Sequence, residues 1–128
     1  MNVDNGTVTF PFRKLSDKNS NFSIGYDKGK FDIRLSAVSR TPYLDYLADE
    51  DAPGDVQGEL SLDNIRYTDD HTQYDFNLKY KINDNFSIKF DISNITDEPE
   101  FYYWGTSDRL SQYDLYGTTY SVGIRYNL

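Results

Sequence analysis

Apolar and polar residues alternate one by one along several stretches of this chain. The alternating stretches cover residues 19–27, 31–40, 74–82, 86–93 and 120–128. Successive side chains of a β-strand point to opposite faces, so each stretch predicts a strand with one apolar and one polar face. The last stretch alternates Tyr120, Val122, Ile124, Tyr126 and Leu128 with Ser121, Gly123, Arg125 and Asn127.

The connections between these predicted strands alternate between short and long. Lys28-Gly29-Lys30 and Asn83-Asp84-Asn85 predict tight turns, because Gly, Asn and Asp tolerate positive φ. Residues 41–70 and 95–116 show no sustained periodicity and predict long loops. Residues 1–18 contain many turn-forming residues and predict a further loop. We therefore expect an all-β fold, an antiparallel up-and-down meander of about five strands.

Strand length and connection pattern are typical of a transmembrane β-barrel. Tilted strands of about 9–11 residues cross a bilayer, and outer-membrane barrels have short periplasmic turns and long outer loops. With both short turns at one end, a group of aromatic residues falls at one level, as in an aromatic girdle. These residues are Tyr26, Phe31, Tyr80, Phe86 and Tyr126. We expect the apolar face to contact outer-membrane lipid and the polar face to line a watery lumen.

Composition excludes several kinds of site. The chain has 128 residues, enough for one domain at most, and it has no cysteine, which excludes disulfides and thiolate metal sites. Its 21 Asp and Glu outnumber its 13 Lys and Arg, so a nucleic-acid partner is not expected. We expect no catalytic, metal or cofactor site, and the chain is not expected to be an enzyme.

The charged clusters have simpler explanations than ligand binding. The run Asp49-Glu50-Asp51, with Asp55, lacks the alternating ligands of a calcium loop, so a solvated loop is favoured. Asp69-Asp70-His71 offers too few partners for a metal or catalytic site and is interpreted as loop polarity. Charges on the predicted polar face either line a permeation path or form cross-strand pairs, and pairing is favoured. They are Arg34, Lys79, Lys81, Lys89, Asp91 and Arg125.

Aromatic residues are abundant, with 12 Tyr, 8 Phe and 1 Trp. Tyrosine suits boundaries between water and an apolar phase, because it combines an apolar ring with a polar hydroxyl. The densest aromatic run is Phe101-Tyr102-Tyr103-Trp104. Stacking on a sugar or aromatic ligand and anchoring at a membrane interface explain this run equally well. Tyr102, Tyr103 and Trp104 are therefore candidate ligand or interface contacts.

The C-terminal third of the chain resembles the end of TonB-dependent outer-membrane receptors. The resemblance rests on residues 94–105, which read N-I-T-D-E-P-E-F-Y-Y-W-G, and on several shorter matches after them. The shorter matches are Asp108-Arg109, Gln112-Tyr113, Tyr116-Gly117 and Y-S-V-G-I-R-Y at residues 120–126. Upstream, residues 10–16 and 40–44 look like preceding loop and strand-end segments of the same barrels.

The resemblance implies a fold and a function. The family's fold is a barrel of roughly 22 strands with a plugged lumen. Residues 1–128 would be an open C-terminal segment of such a large transmembrane β-barrel, with Met1 an internal or spurious start. The plug, the remaining strands and the part that contacts the energy-transducing TonB complex would be absent. Such receptors lie in the bacterial outer membrane and actively take up a scarce nutrient, such as a siderophore, a vitamin or an oligosaccharide.

The resemblance also implies an assembly signal at the C-terminus. A terminal aromatic residue is thought to help barrel assembly in this family. Most members end on Phe, whereas this chain has Leu128 at that position and Tyr126 two residues earlier. Tyr126 and Leu128 are therefore the residues on which that signal would depend.

Two other interpretations belong to different classes. A soluble β-sandwich could bind carbohydrate through the aromatic loop 101–104, and it would need the apolar rows to face one another across two sheets. A non-transporting barrel or the end of an adhesin would share the strand pattern without the uptake function. Fractionation separates the sandwich from the receptor barrel, because a full-length product that stays in the aqueous phase and folds without detergent is not a barrel.

Overall fold

The computed structural model describes residues 12–47 and 65–128 of the chain. Within these ranges the secondary structure is β-strand, and no helix is present. The strands are β1 Asn19–Lys28, β2 Phe31–Arg40, β3 Tyr43–Leu47, β4 Ile65–Thr68, β5 His71–Lys81, β6 Phe86–Ser93, β7 Glu100–Trp104, β8 Leu110–Asp114 and β9 Thr119–Tyr126. They form antiparallel pairs in a five-stranded and a four-stranded sheet. The prediction of an all-β antiparallel fold is confirmed.

The five-stranded sheet contains the strands that alternation predicts. Its order is β1-β2-β5-β6-β9, which is also the order of these strands along the chain. The strands β3–β4 and β7–β8 lie between two of the neighbouring pairs in the sequence. The β1–β2 turn uses Gly29 at φ 62°, a left-handed conformation that glycine adopts without steric cost. In the β5–β6 turn the Asn83 side chain accepts a hydrogen bond from the backbone N–H of Asn85 at 3.0 Å. Such Asn turns are local alternatives to strand pairing, which explains where the strands end.

The register of this sheet aligns the apolar positions of neighbouring strands. Leu78 lies opposite Phe90, and Phe90 lies opposite Val122 on the next strand. Because one register shift would move every side chain to the other face, this alignment places the apolar rows on one face. The polar positions are aligned in the same way, with Lys79 opposite Lys89.

The four-stranded sheet corrects the prediction of long loops. Residues 41–70 and 95–116 contribute β3, β4, β7 and β8, which form this sheet in that order. These strands have four or five residues each, too few for alternation to stand out. The register also shifts between Leu44 and Tyr46 and between Tyr102 and Tyr103, which interrupts the period of two. Residues 12–18 contain no strand, as predicted, whereas the acidic run at 49–51, Asp55 and residues 1–11 lie outside the described residues.

Two compact units share the chain. The first comprises residues 1–18, 40–71 and 100–114, and the second comprises 19–39, 72–99 and 115–128. The first therefore contains the four-stranded sheet, and the second contains almost all of the five-stranded sheet. Among the described residues, the buried large hydrophobic side chains are Leu44, Ile65 and Trp104, all in the first unit. The second unit has no such buried core in its described part.

Candidate functional site

The apolar face of the five-stranded sheet is the most extensive feature of the second unit. Its residues are Phe22, Ile24, Tyr26, Phe31, Ile33, Leu35, Ala37, Tyr74, Phe76, Leu78, Tyr80, Phe86, Ile88, Phe90, Ile92, Tyr120, Val122, Ile124 and Tyr126. Many of these side chains are exposed, including Val122 at 70% and Phe22 at 66%. Those on the inner strand β6 are half-buried, since neighbouring side chains on both sides cover them. This face therefore presents a continuous apolar surface that the described residues leave uncovered.

Aromatic rings meet on this face near the two short turns. The rings of Phe31 and Tyr80 lie 4.8 Å apart between centroids, and those of Phe86 and Tyr126 lie 6.3 Å apart. Both pairs are tilted, the geometry that aromatic quadrupoles favour. Phe86 is the direct cross-strand neighbour of Tyr126. Four of the five aromatic residues predicted to lie at one level thus form two ring contacts, but Tyr80 lies opposite Ile88, one row from Phe86.

The opposite face of the same sheet is polar. Asn77 donates a hydrogen bond to the carboxylate of Asp91 across the β5–β6 pair at 2.7 Å. Among described residues of this face the one ion pair joins Lys89 to Asp91 at 3.0 Å, along a single strand. The prediction of cross-strand ion pairs is therefore wrong for Lys79 and Lys89, which oppose each other across the β5–β6 pair. The five-stranded sheet therefore has one apolar and one polar face.

Asn94 connects the outer ends of three segments of the second unit. Its side-chain oxygen accepts from the Glu98 N–H at 2.9 Å, and its amide donates to the carbonyls of Glu98 and Gly117 at 3.1 and 3.4 Å. Its own N–H donates to the Asp75 carboxylate at 3.0 Å, and its carbonyl accepts from the Thr118 hydroxyl at 2.8 Å. The residue is 6% exposed and adopts φ 55°. The sequence analysis included Asn94 in the motif at residues 94–105 but did not predict that its hydrogen bonds connect these segments.

Arg66 lies at the centre of the four-stranded sheet in the first unit. Its Nε and Nη2 donate to Asp45 Oδ2 at 2.9 and 2.6 Å, and the two side chains are 16% and 7% exposed. The guanidinium lies 4.3 Å from the Tyr46 ring centroid, 5.2 Å from that of Tyr102 and 6.0 Å from that of Trp104. Cation–π attraction strengthens as the cation loses water, so these rings stabilise the ion pair. Neither Arg66 nor Asp45 was singled out by sequence pattern.

The candidate contacts Tyr102, Tyr103 and Trp104 do not share one face. Tyr102 and Trp104 lie on the side of Arg66, where Tyr102 donates its hydroxyl hydrogen to Glu100 at 2.9 Å. Tyr103 lies on the other side and stacks on Tyr67 at 5.5 Å. Trp104 is only 9% exposed, so its ring packs within the unit. The structure thus brings Tyr102 and Trp104 together around Arg66 and separates Tyr103 from them.

The Tyr103 hydroxyl has an altered acidity. Burial raises the pKa of Tyr103 above its ordinary value, and the nearby Asp69 carboxylate raises it further. Both effects disfavour the negatively charged phenolate. Tyr103 therefore remains a neutral hydrogen-bond donor at physiological pH.

The predicted assembly signal lies at the end of the last strand. Tyr126 is the final residue of β9, and its ring faces Phe86 on the apolar face. Leu128 follows the strand and is fully exposed. The backbone pairing continues one residue past β9, because the Asn127 N–H donates to the Asn85 carbonyl at 2.8 Å.

Replacing Arg66 with Lys is expected to lower the free energy of unfolding of the first unit by about 1–2 kcal/mol. Lysine keeps the charge but loses the planar fork that contacts Asp45 and stacks on Tyr46. Thermal unfolding followed by circular dichroism measures the change. Arg34→Lys, at an exposed guanidinium, is the matched control and should leave the midpoint nearly unchanged. Equal effects of the two variants would contradict a stabilising role for the Arg66 cluster.

The described residues contain neither a membrane-spanning helix nor a metal cluster, and the chain matches no known relative. In the described ranges, no helix is long and apolar enough to cross a membrane, and no group of three His, Cys, Asp or Glu side chains could hold a metal ion. No protein-family model, curated protein or solved structure matches the chain. The features that indicate a function are therefore the two faces of the five-stranded sheet and the residues at its ends.

Proposed function

We propose that the five-stranded sheet is a segment of an outer-membrane β-barrel wall, with lipid against its apolar face and water against its polar face. The observation that supports this most directly is that the apolar rows lie together on one face and are uncovered by the described residues. An exposed apolar surface of this extent needs an apolar partner, and the hydrocarbon region of a membrane is one.

The dimensions of the sheet agree with this proposal. Strands spaced about 4.8 Å apart and about eight residues long form a face of roughly 24 by 27 Å, or about 650 Å². The largest apolar patch on a typical soluble monomer is about 300–600 Å². A ten-residue strand such as β1 is about 33 Å long, and a tilt of about 45° reduces its height to roughly 23 Å. That height is close to the apolar band of outer-membrane barrels, about 25 Å.

The edges of the sheet require further strands. In the described part of the chain, β1 and β9 each pair on one side only. An unpaired strand edge costs several kcal/mol per polar group in lipid, so a membrane-spanning sheet must be closed. In this proposal, additional strands of a longer polypeptide pair with β1 and β9 and complete the barrel.

The specific function we propose is active nutrient uptake as part of a TonB-dependent receptor. Support comes from the resemblance of residues 94–128, in which Asn94 and Gly117 now have a joint structural role. A soluble carbohydrate-binding sandwich has less support. Its apolar rows would have to be divided between two sheets, whereas here they share one, and Trp104 of the proposed sugar-binding loop is buried.

Spin labels on successive residues of β9 test the membrane proposal. The chain has no cysteine, so single-cysteine substitutions at residues 119–126 can each be labelled without first removing a native cysteine of this segment. In the native polypeptide that contains this chain, reconstituted in lipid, we expect collision with oxygen to be highest at 120, 122, 124 and 126. Collision with a water-soluble nickel chelate should be highest at 119, 121, 123 and 125, because lipid and water occupy opposite faces.

The same experiment has a clear negative result. If the nickel chelate reaches both faces of β9 equally, the sheet is surrounded by water and the barrel proposal fails. Labels at Phe101 and Tyr113, which contact each other on a different sheet, are controls for local crowding by aromatic side chains. The uptake function is tested in cells by deleting the encoding gene, which should abolish energy-dependent accumulation of one nutrient.

A further inference from the structure

Basic side chains are concentrated at one end of the polar face, although the chain has a formal net charge of −8. Lys79 and Lys89 lie directly opposite each other on β5 and β6. The next row toward the β5–β6 turn places Lys81 opposite Ser87, and Ser87 opposite Arg125. We call Lys79, Lys81, Lys89 and Arg125 the basic patch.

The basic patch is short of negative partners. Like charges directly opposite in a sheet repel each other, and Lys79 and Lys89 are such a pair. Of the patch residues, Lys89 alone has an ion pair among the described residues, and its partner Asp91 belongs to the next row. The other carboxylates near the patch are Asp84 in the adjoining turn, and Asp27 and Asp32 on β1 and β2. Lys30 and Arg34 also lie beside the patch, so among the described residues six cations there outnumber these four carboxylates.

A depression on the sheet surface lies beside these cations. It is lined by Lys79, Ser87, Lys89, Gly123, Ile124 and Arg125. Gly123 is the direct neighbour of Lys89 and has no side chain, so the space above β9 stays open between Lys89 and Arg125. The polar hydrogen-bonding groups around this space, ammonium, guanidinium and hydroxyl, are all able to donate to an oxyanion.

The patch is also compact. It spans β5 to β9, about 10 Å, and two rows, about 7 Å. On β5, β6 and β9 the following row consists of Asn77, Asp91 and Ser121, which adds no cation and one carboxylate, while Arg34 on β2 lies beside Asn77. A binding surface for a long polyanion would extend along the sheet, whereas this one ends after two rows. Its size suits a small molecule with two or more oxyanion groups.

We propose that the basic patch binds a compact, multiply charged oxyanion, such as a solute that contains a diphosphate group. The like charges of Lys79 and Lys89 then act on one anion, and Ser87 and Arg125 donate hydrogen bonds from the neighbouring row. This inference rests on the proposed barrel for its location, which places the patch on the lumen side near the short turns. It assigns an anionic substrate class to the path through that lumen.

Inorganic pyrophosphate is the probe for this site. In isothermal titration of the native polypeptide, we expect saturable binding that weakens as ionic strength rises. The double variant Lys79→Gln and Lys89→Gln should weaken binding by about 10-fold or more, because charge-assisted hydrogen bonds are lost. The double variant Lys18→Gln and Lys28→Gln makes the same change of net charge outside the patch and should retain the affinity.

The outcomes separate this inference from the proposed function. Absence of saturable pyrophosphate binding, or an equal loss in the control variant, overturns the anion site. Displacement of bound pyrophosphate by an acidic peptide at lower concentration also overturns it, because the occupant would then be protein. Spin-label alternation along β9 that persists in those cases leaves the barrel intact. If the spin-label alternation along β9 were lost while pyrophosphate binding was retained, the result would contradict both the proposed barrel and the location of the patch in its lumen.

Discussion

In the proposed barrel, replacing Val122 with Arg is expected to destabilise the protein by about 2–4 kcal/mol, the range for a basic residue at the lipid midplane of a barrel. Val122 lies near the middle of β9 and is opposite Phe90 on the apolar face. Denaturant titration of the native polypeptide, refolded in phospholipid vesicles, measures the free energy of unfolding. The cost arises because the guanidinium must leave water for hydrocarbon.

Ser121→Arg is the matched control for this change. Ser121 precedes Val122 on the same strand, points to the other face and lies opposite Asp91. The new charge would therefore remain in water and face a carboxylate, so we expect a change within about 0.5 kcal/mol. Val122 is 70% exposed in the folded chain, so in water Val122→Arg should be as harmless as the control. Equal effects of the two variants would contradict the membrane location.

The alternation of apolar and polar residues was sufficient to predict the long strands, because each of them has one polar and one apolar face. The turns were predictable as well, since Gly29 and Asn83 are residues that tolerate the backbone conformations of tight turns. The register followed from the same pattern, because pairing must keep the apolar rows on one face. This part of the fold is therefore encoded locally.

The four-stranded sheet was not predictable in this way. Its strands are short, and its pairs join residues far apart in the chain, such as Tyr67 with Tyr103. Its central ion pair joins Asp45 to Arg66 across a separation of 21 residues. No periodic signal links such residues, so their contacts depend on tertiary packing. The separation of Tyr103 from Tyr102 and Trp104 was predictable, because neighbouring strand residues face opposite sides.

Charge pairing on the polar face could not be deduced from composition. Sequence reasoning assumed that lysines and carboxylates would alternate across strands, because opposite charges stabilise a sheet. The register instead aligns Lys79 with Lys89 and Asn77 with Asp91. Apolar side chains determine that register, so the charges on the other face take the positions that remain. The unfavourable alignment of Lys79 with Lys89 that results from this register is consistent with a site for a negatively charged ligand.

Asn94 forms hydrogen bonds both within its own turn and with residues that are distant in the chain. Its left-handed backbone is one that Asn adopts more readily than most residues. Its hydrogen bonds then reach Asp75 on β5 and Thr118 before β9. These bonds fix the outer end of β9 against the loop that follows β6. The apolar row of β9 thereby begins at the correct level relative to its neighbours.

Replacing Asn94 with Ala is accordingly expected to lower the free energy of unfolding by about 3–4 kcal/mol. The side-chain hydrogen bonds to Glu98 and Gly117 account for about 2–3 kcal/mol, at about 1 kcal/mol each. Alanine adopts a left-handed backbone less readily than Asn, because it lacks the short polar side chain that hydrogen-bonds locally, and this adds about 1 kcal/mol. Denaturant titration of the native polypeptide in lipid vesicles measures the loss.

Two further variants separate these contributions. Asn94→Gly removes the side chain but keeps the backbone unstrained, so it should cost about 1 kcal/mol less than Asn94→Ala. Asp97→Gly changes a second left-handed residue in the same turn, at φ 54°, whose side chain is exposed. It should be neutral or stabilise by up to about 1 kcal/mol. If Asn94→Ala proved as mild as Asp97→Gly, the hydrogen bonds of Asn94 would not fix the last strand.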